Sequence, residues 1–231
     1  MMQAVKDAPI APGGLSLAET LASRICHDLA GHVFALAGAL ELAGEEGALS
    51  GEAMSAATDA AASLHHRLEL LRAAWGRSTE GLTMAGLRGL CRGLPLGKRT
   101  SVSLAGLHED RAFTPESGQF MLNLLILGVE SLHGAGTLAV TGAARGDVFL
   151  TLSGPRAAWP VGFALMLADP LEAQRAAERA GPREILPCFA ALLAHRCGLS
   201  VSLLLAAESE AAAPLRIALD ERRKTRIIND L

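Results

Sequence analysis

His27, followed at once by Asp28, with Arg24 one helical turn before it and Gly31 one turn after, is the grouping in this chain best suited to chemistry. A neutral imidazole is a competent nucleophile near neutral pH, and an adjacent carboxylate can orient or polarise the ring. Arg24 is expected to take up charge from a bound phosphoryl oxygen. Gly31 costs a helix about 1 kcal/mol relative to alanine, and in return leaves bare backbone where a second protein can come close. The other histidines offer less. His27 and His32 are five apart, off the i, i+4 spacing of a helical metal pair, and the adjacent His65 and His66 point to different faces. No metal site is expected. Neither a P-loop nor a G-x-G-x-x-G run occurs, and no Ser-His-Asp or Cys-His arrangement suggests itself. On residue types alone, an ordinary surface histidine is the competing reading of His27.

The elements that must position this grouping are helices. Residues 17–46 carry Ala18, Ala22, Ile25, Leu29, Leu36, Ala39 and Ala43 at spacings of three, four and seven, with His32 interrupting the stripe. On that register His27 faces away from the apolar seam. Ser16 is the expected N-cap, with Glu19 completing a capping box. Ser50 is expected to cap a second helix to about residue 75. There Met54, Ala57, Ala61, Leu64, Leu68, Leu71 and Trp75 run for three heptads, as in a coiled-coil seam. The short connection makes the pair an antiparallel hairpin. Two helices cannot enclose a core, and Leu21, Val33 and Leu40 give the first a second apolar side. A symmetric homodimer forming a four-helix bundle is the economical solution, and cover by the C-terminal half of the same chain is the alternative.

The polar break at 76–81 is read as a domain boundary, and the periodicity changes after it. Thr83 is expected to cap a helix to about residue 92, and 101–105 has strand character. Thr114-Pro115-Glu116 combines an N-cap, an N1 proline and a first-turn acid, opening an apolar helix to about residue 132. Strands are expected at 137–142 and 148–153, a helix at 186–197, and a terminal hairpin from 200–206 and 215–219. Residues 157–185 give no clear pattern. The fold class is therefore α+β, with helices on one face of a mainly antiparallel sheet. The division is a flexible arm at 1–15, the hairpin at 16–78, the α/β domain at 82–220 and a basic tail at 221–231.

Composition excludes some functions. Aromatics make up 3% of the 231 residues, with no tyrosine, which argues against stacking surfaces for single-stranded nucleic acid. A net charge of −3 argues against a phosphate-backbone binder. Residues 15–80 hold four basic against nine acidic groups, so the hairpin carries the excess negative charge. No run of 18 uninterrupted apolar residues occurs, and the first fourteen residues lack a signal peptide's apolar stretch. Cys26, Cys91, Cys188 and Cys197 have neither C-x-x-C pairing nor scaffold density. A reduced, cytoplasmic protein without membrane or nucleic-acid partners is expected.

The string Ile25-Cys26-His27-Asp28-Leu29 is similar to the phosphoacceptor motif of sensor histidine kinases, and the arrangement as a whole resembles the ChpT-type histidine phosphotransferases of alphaproteobacteria. The likeness extends to Leu122-Asn123-Leu124 and Gly154-Pro155-Arg156. It implies a dimerising hairpin followed by a degenerate copy of the kinase ATP-binding fold. Departures from a working kinase are informative. Asn123 matches the first magnesium-binding asparagine of that fold, but Leu127 replaces the second. After the strand at 148–153 the chain reads LSGPRAA where D-x-G-x-G is expected, and the glycine-rich lid is missing. His32 stands where the family usually has proline, restoring a backbone N–H.

The resemblance thus implies a phosphorelay intermediate. The phosphoryl group would pass from the receiver domain of a hybrid histidine kinase to His27, and on to a response-regulator receiver. The chain would need no nucleotide and no cofactor of its own, the magnesium sitting in the receiver. Asp28 would orient His27, while Arg24, Gly31, His32 and Arg156 are candidate docking residues. A non-catalytic dimeric scaffold and a divergent sensor histidine kinase are the rival readings.

Overall fold

The computed structural model describes residues 12–45, 51–76, 79–204 and 212–218. Two helices, α1 (Pro12–Glu45) and α2 (Gly51–Trp75), form the antiparallel hairpin. Helix α1 begins earlier than the Ser16 capping box would allow. Ser16 is inside the helix, its carbonyl accepting a 2.9 Å hydrogen bond from the Thr20 hydroxyl. Proline-glycine-glycine did not stop it, because proline at the first helical position gives up only an N–H that has no partner there. Of the arm expected at 1–15, residues 12–15 are instead the first turn of α1; residues 1–11, the Ser50 cap and the tail at 221–231 lie outside the described residues.

Beyond the hairpin, β1 (Leu82–Thr83) pairs with β3 (Ala112–Phe113). A five-stranded sheet runs in the order β2 (Thr100–Leu107), β4 (Gly136–Gly142), β5 (Val148–Ser153), β7 (Leu215–Ala218), β6 (Ser200–Leu203). Only β2–β4 is parallel. The helices are α3 (Met84–Cys91), α4 (Pro115–Glu130), α5 (Phe163–Ala168), α6 (Pro170–Arg179) and α7 (Ile185–Arg196). The architecture is the expected α+β hairpin-plus-sheet.

Two helix starts follow the expected chemistry. The Thr83 hydroxyl accepts from Gly86 N–H at 3.2 Å, and that of Thr114 from Ser117 N–H at 3.2 Å, with Pro115 at the first helical position. The segment that sequence left unread holds α5 and α6. It carries the same signal, since Asp169 caps α6 through Leu171 N–H at 2.9 Å and Pro170 follows.

The core lies between the sheet and helices α4, α5 and α7. Strands β4 and β5 alternate, burying Leu138, Val140, Val148, Leu150 and Leu152. Helix α4 is buried on nearly every side, which is why its apolar residues show no amphipathic gap. Leu70, Leu71 and Ala74 at the end of α2 join this same core. The expected boundary at 76–81 is a change of element type, yet apolar packing continues across it.

The α2 seam is accordingly divided. Ala57 and Leu71 are buried as the heptads require, whereas Met54 and Leu68 are exposed and Arg67, Leu70 and Ala74 take the buried face against the domain. Helix α1 over Gly14–Leu42 is long and apolar enough to cross a membrane, by length and composition only. Its midpoint, however, carries Arg24 and Asp28, both paired to groups outside α1.

Candidate functional site: a histidine beside a buried ion cluster

Consecutive residues of a helix lie about 100° apart, and α1 uses that step to separate His27 from Asp28. The His27 side chain is 63% exposed, while that of Asp28 is 9% exposed. The His27 Nδ1 lies 3.6 Å from Asp28 Oδ1, beyond hydrogen-bond length but within reach of the carboxylate's field. One turn on, a side chain added at Gly31 would meet nothing within 4 Å, so the backbone beside His27 is bare. Phe34, two turns from His27 and on its side of the helix, is exposed.

A buried carboxylate needs partners, and Asp28 has two. Arg24 Nε donates to Oδ1 at 2.9 Å and Arg67 of α2 donates to Oδ2 at 2.6 Å. Arg24 also donates to Glu130 at the end of α4 and to the Pro182 carbonyl at 3.3 Å. Arg67 donates onward to the Gly93 carbonyl at 3.1 Å, in the turn after α3. Two carboxylates and two guanidiniums balance, which is how the cluster tolerates burial. Burial alone works against the Arg24 charge, but Glu130 and Asp28 more than offset it and hold its pKa above the ordinary value. Burial pushes the Glu130 carboxyl up, against the pull of Arg24.

Arg24 therefore has a different task from the one expected. At 8% exposure, with its guanidinium committed to four partners, it is a strut between hairpin and domain, not a group waiting for a phosphoryl oxygen. His32 lies half-buried on the side of α1 facing α2, its Nδ1 3.2 Å from Ser63 Oγ, and α1 continues through it as helix. Arg156 is exposed on the turn after β5. It donates to the His133 carbonyl at 2.6 Å and makes no hydrogen bond or ion pair to the His27 cluster.

Asn123 is fully buried and engaged structurally. Its Oδ1 accepts from Trp75 Nε1 at 2.9 Å, and its Nδ2 donates to the carbonyls of Ala74 at 2.8 Å and Gln119 at 2.9 Å. Three of its four hydrogen-bonding positions are used, two of them joining the end of α2 to α4 and the third staying within α4. Leu127, one turn further along α4, lines an open and largely apolar groove of about 630 Å³ together with Glu130, Trp159, Met166, Arg179 and Pro187. Among the described residues no group of three or more His, Cys, Asp or Glu could hold a metal ion.

Sequence reasoning missed Arg67, Glu130 and Gly93. The first had a signal. Arg67 falls in line with Leu70, Leu71 and Ala74 at helical spacing, and an arginine on an apolar stripe implies a carboxylate opposite it. The hairpin register that sets His32 beside Ser63 also sets Asp28 beside Arg67.

The chain belongs to the histidine phosphotransferase family, residues 84–209 matching the family's C-terminal domain. Membership makes it a component of phosphorelay, two-component signalling. It is similar to a bacterial phosphotransferase solved at 1.7 Å, with 22% identity and a TM-score of 0.65 over 90% of this chain and 98% of the other. That likeness establishes a common fold, in keeping with the ChpT-type resemblance. Weaker similarities are to the histidine kinase domain of the blue-light-activated kinase EL346 of Erythrobacter litoralis (14% identity, TM-score 0.36, 94% and 97% coverage) and to a histidine kinase of Burkholderia phymatum (15%, 0.34, 90% and 97%). No protein of curated function matches the chain.

Proposed function

We propose that this protein is a relay carrier that takes a phosphoryl group from the aspartyl phosphate of one receiver domain onto His27 and delivers it to the aspartate of a second. The observation that carries this reading is the exposed imidazole standing next to a buried, doubly paired carboxylate. In the forward step the Nε2 lone pair attacks phosphorus in line. The N–P bond forms as the P–O bond to the receiver's carboxylate breaks, and the electron pair leaves with that carboxylate. The Nδ1 proton stays on the ring, whose new positive charge faces Asp28. Delivery reverses the sequence. Such transfers depend on positioning and charge neutralisation, and the receiver supplies the magnesium.

Independence from ATP is part of the proposal. Asn123 is spent on joining α2 to α4, the Leu127 side chain offers no metal-binding oxygen, and the stretch LSGPRAA at the end of β5 carries no aspartate. The bare backbone at Gly31 and the exposed Phe34 are where a receiver would dock, with Arg156 a further contact. The protein would act as a cytoplasmic homodimer. A second hairpin would cover the exposed Met54 and Leu68 and fill the groove of about 560 Å³ bordered by Ile25, Leu68, Leu71 and Trp75.

The test is transfer from a receiver domain carrying radiolabelled aspartyl phosphate. Label is expected on the wild type and absent from His27→Gln, with both proteins eluting at the mass of a dimer. Label on the His27→Gln variant would remove the assignment. Saturable binding of an ATP analogue would revive the kinase reading. A wild type that binds the receiver but takes no label would favour a scaffold.

A further inference from the structure

Asp28 faces His27 only because something holds it there. We infer that Arg67 is a positioning residue for the phosphoacceptor, fixing Asp28 so that its Oδ1 addresses His27 Nδ1 and leaves Nε2 free to react. This rests on the reading of His27 as phosphoacceptor given above.

Arg67 is 4% exposed, and its guanidinium is divided between two parts of the molecule. One terminal nitrogen holds Asp28 Oδ2 at 2.6 Å and the other holds the Gly93 carbonyl at 3.1 Å. With Oδ2 held by Arg67 from α2 and Oδ1 held by Arg24 from within α1, the carboxylate plane is fixed by groups on opposite sides. Without Arg67, Oδ2 has no partner, and the carboxylate is free to turn toward Arg24 and away from the ring.

The tautomer of a neutral histidine is set by what its non-reacting nitrogen faces. An anionic oxygen 3.6 Å from Nδ1 favours the proton there, and the contact can shorten in the reacting complex. Arg67 is itself held from behind. Gly93 approaches α2 so closely that a Cβ added to it would lie 2.2 Å from the His66 carbonyl oxygen and 2.9 Å from Leu70 Cβ. Only glycine permits that approach, and the approach brings the Gly93 carbonyl to Arg67. The nucleophile on α1 is thereby referenced, through α2, to the turn after α3.

The experiment uses the full-length chain. Long-range proton–nitrogen spectra report the His27 tautomer, with the signal assigned by its loss in His27→Gln, and transfer is measured from a receiver domain carrying aspartyl phosphate. In the wild type the Nδ1-protonated form is expected to dominate. In Arg67→Met the balance shifts toward Nε2 protonation and transfer falls roughly tenfold, in the range seen when the partner of a working histidine is removed. Arg67→Lys, which keeps the charge but not the fork that reaches Asp28 and Gly93 together, shifts the tautomer in the same direction by less and lowers transfer about threefold. Gly93→Ala shifts the tautomer in the same direction by less.

A wild-type tautomer ratio in Arg67→Met overturns the inference, whatever happens to its melting temperature, since a purely structural arginine would move only the latter. Should Arg67→Met not fold, unchanged tautomer ratios in both Arg67→Lys and Gly93→Ala overturn it equally. Label appearing on His27→Gln would sink the phosphoacceptor reading instead, and the tautomer ratio would still judge Arg67.

Discussion

Helices α1 and α4 are both long and apolar, yet they are held by different forces. Helix α4 buries twelve of its sixteen residues, ten of them apolar if Gly128 and Gly118 are counted with the hydrocarbon side chains. On α1 no apolar residue among those described is fully buried, and the side chains of the charged pair Arg24 and Asp28 are each only 9% exposed. A helix fixed by hydrocarbon on all sides keeps its position when one polar contact is lost, even where stability falls. A helix fixed by an ion cluster and a thin apolar contact has its geometry set by a few charges. Placing the proposed phosphoacceptor on the second kind keeps one side open to partners while the cluster keeps its counter-charge in place.

The sharpest way to break this contrast is by truncation in each helix. Leu125→Ala, at a fully buried position of α4, should cost about 3–5 kcal/mol. Phe34→Ala, at a side chain 75% exposed on α1, should cost under about 0.5 kcal/mol. Urea unfolding monitored by circular dichroism reads both, and similar costs would mean that α1 is covered in solution at Phe34.

A somewhat smaller loss is expected at the joint. Asn123→Ala strands the Trp75 indole N–H and the Ala74 carbonyl, which should cost about 2–3 kcal/mol. A neutral result in the same unfolding assay would mean that α2 does not depend on α4 for its anchoring. Smaller again, Leu68→Glu on the exposed part of the α2 seam should weaken the proposed dimer about tenfold, which corresponds to about 1.4 kcal/mol. Sedimentation would show a shift toward monomer, and an unaltered mass would place the dimer seam elsewhere.

The smallest effect concerns pH. Burial raises the Glu130 carboxyl above its usual range, and Arg24 offsets this only in part. A carboxyl raised on folding contributes stability that is complete below the unfolded value of about 4.3 and is lost as pH rises through the folded value. Relative to Glu130→Gln, the wild type should therefore lose stability as pH rises above that unfolded value, read from urea midpoints. A relative gain as pH rises would mean that the pair with Arg24 outweighs burial.

Much of the domain was legible because its signals are local. Thr83, Thr114-Pro115-Glu116 and the alternation of 148–153 each fix an element within a few residues, and each element is where those residues put it. The exposure of His27 was legible for the same reason, as a matter of helical phase. What escaped notice depends on contacts far apart in sequence. Arg24 looked available because its partners Glu130 and Pro182 come from elements more than a hundred residues away. Asn123 looked like a ligand residue fallen idle, when it joins two parts of the chain. The α2 heptads misled for a related reason, since periodicity reports that a face is apolar but not which of two neighbours it meets.

The opposite exposures of His27 and Asp28 divide time as well as space. An exposed side chain changes rotamer in picoseconds to nanoseconds, so in the proposed relay the ring searches for an approaching phosphorus atom many times within one encounter. The carboxylate beside it, held from two helices, reorients only when those helices shift against each other, on the far slower scale of collective motion. To the ring, the neighbouring charge is stationary for as long as a partner is docked.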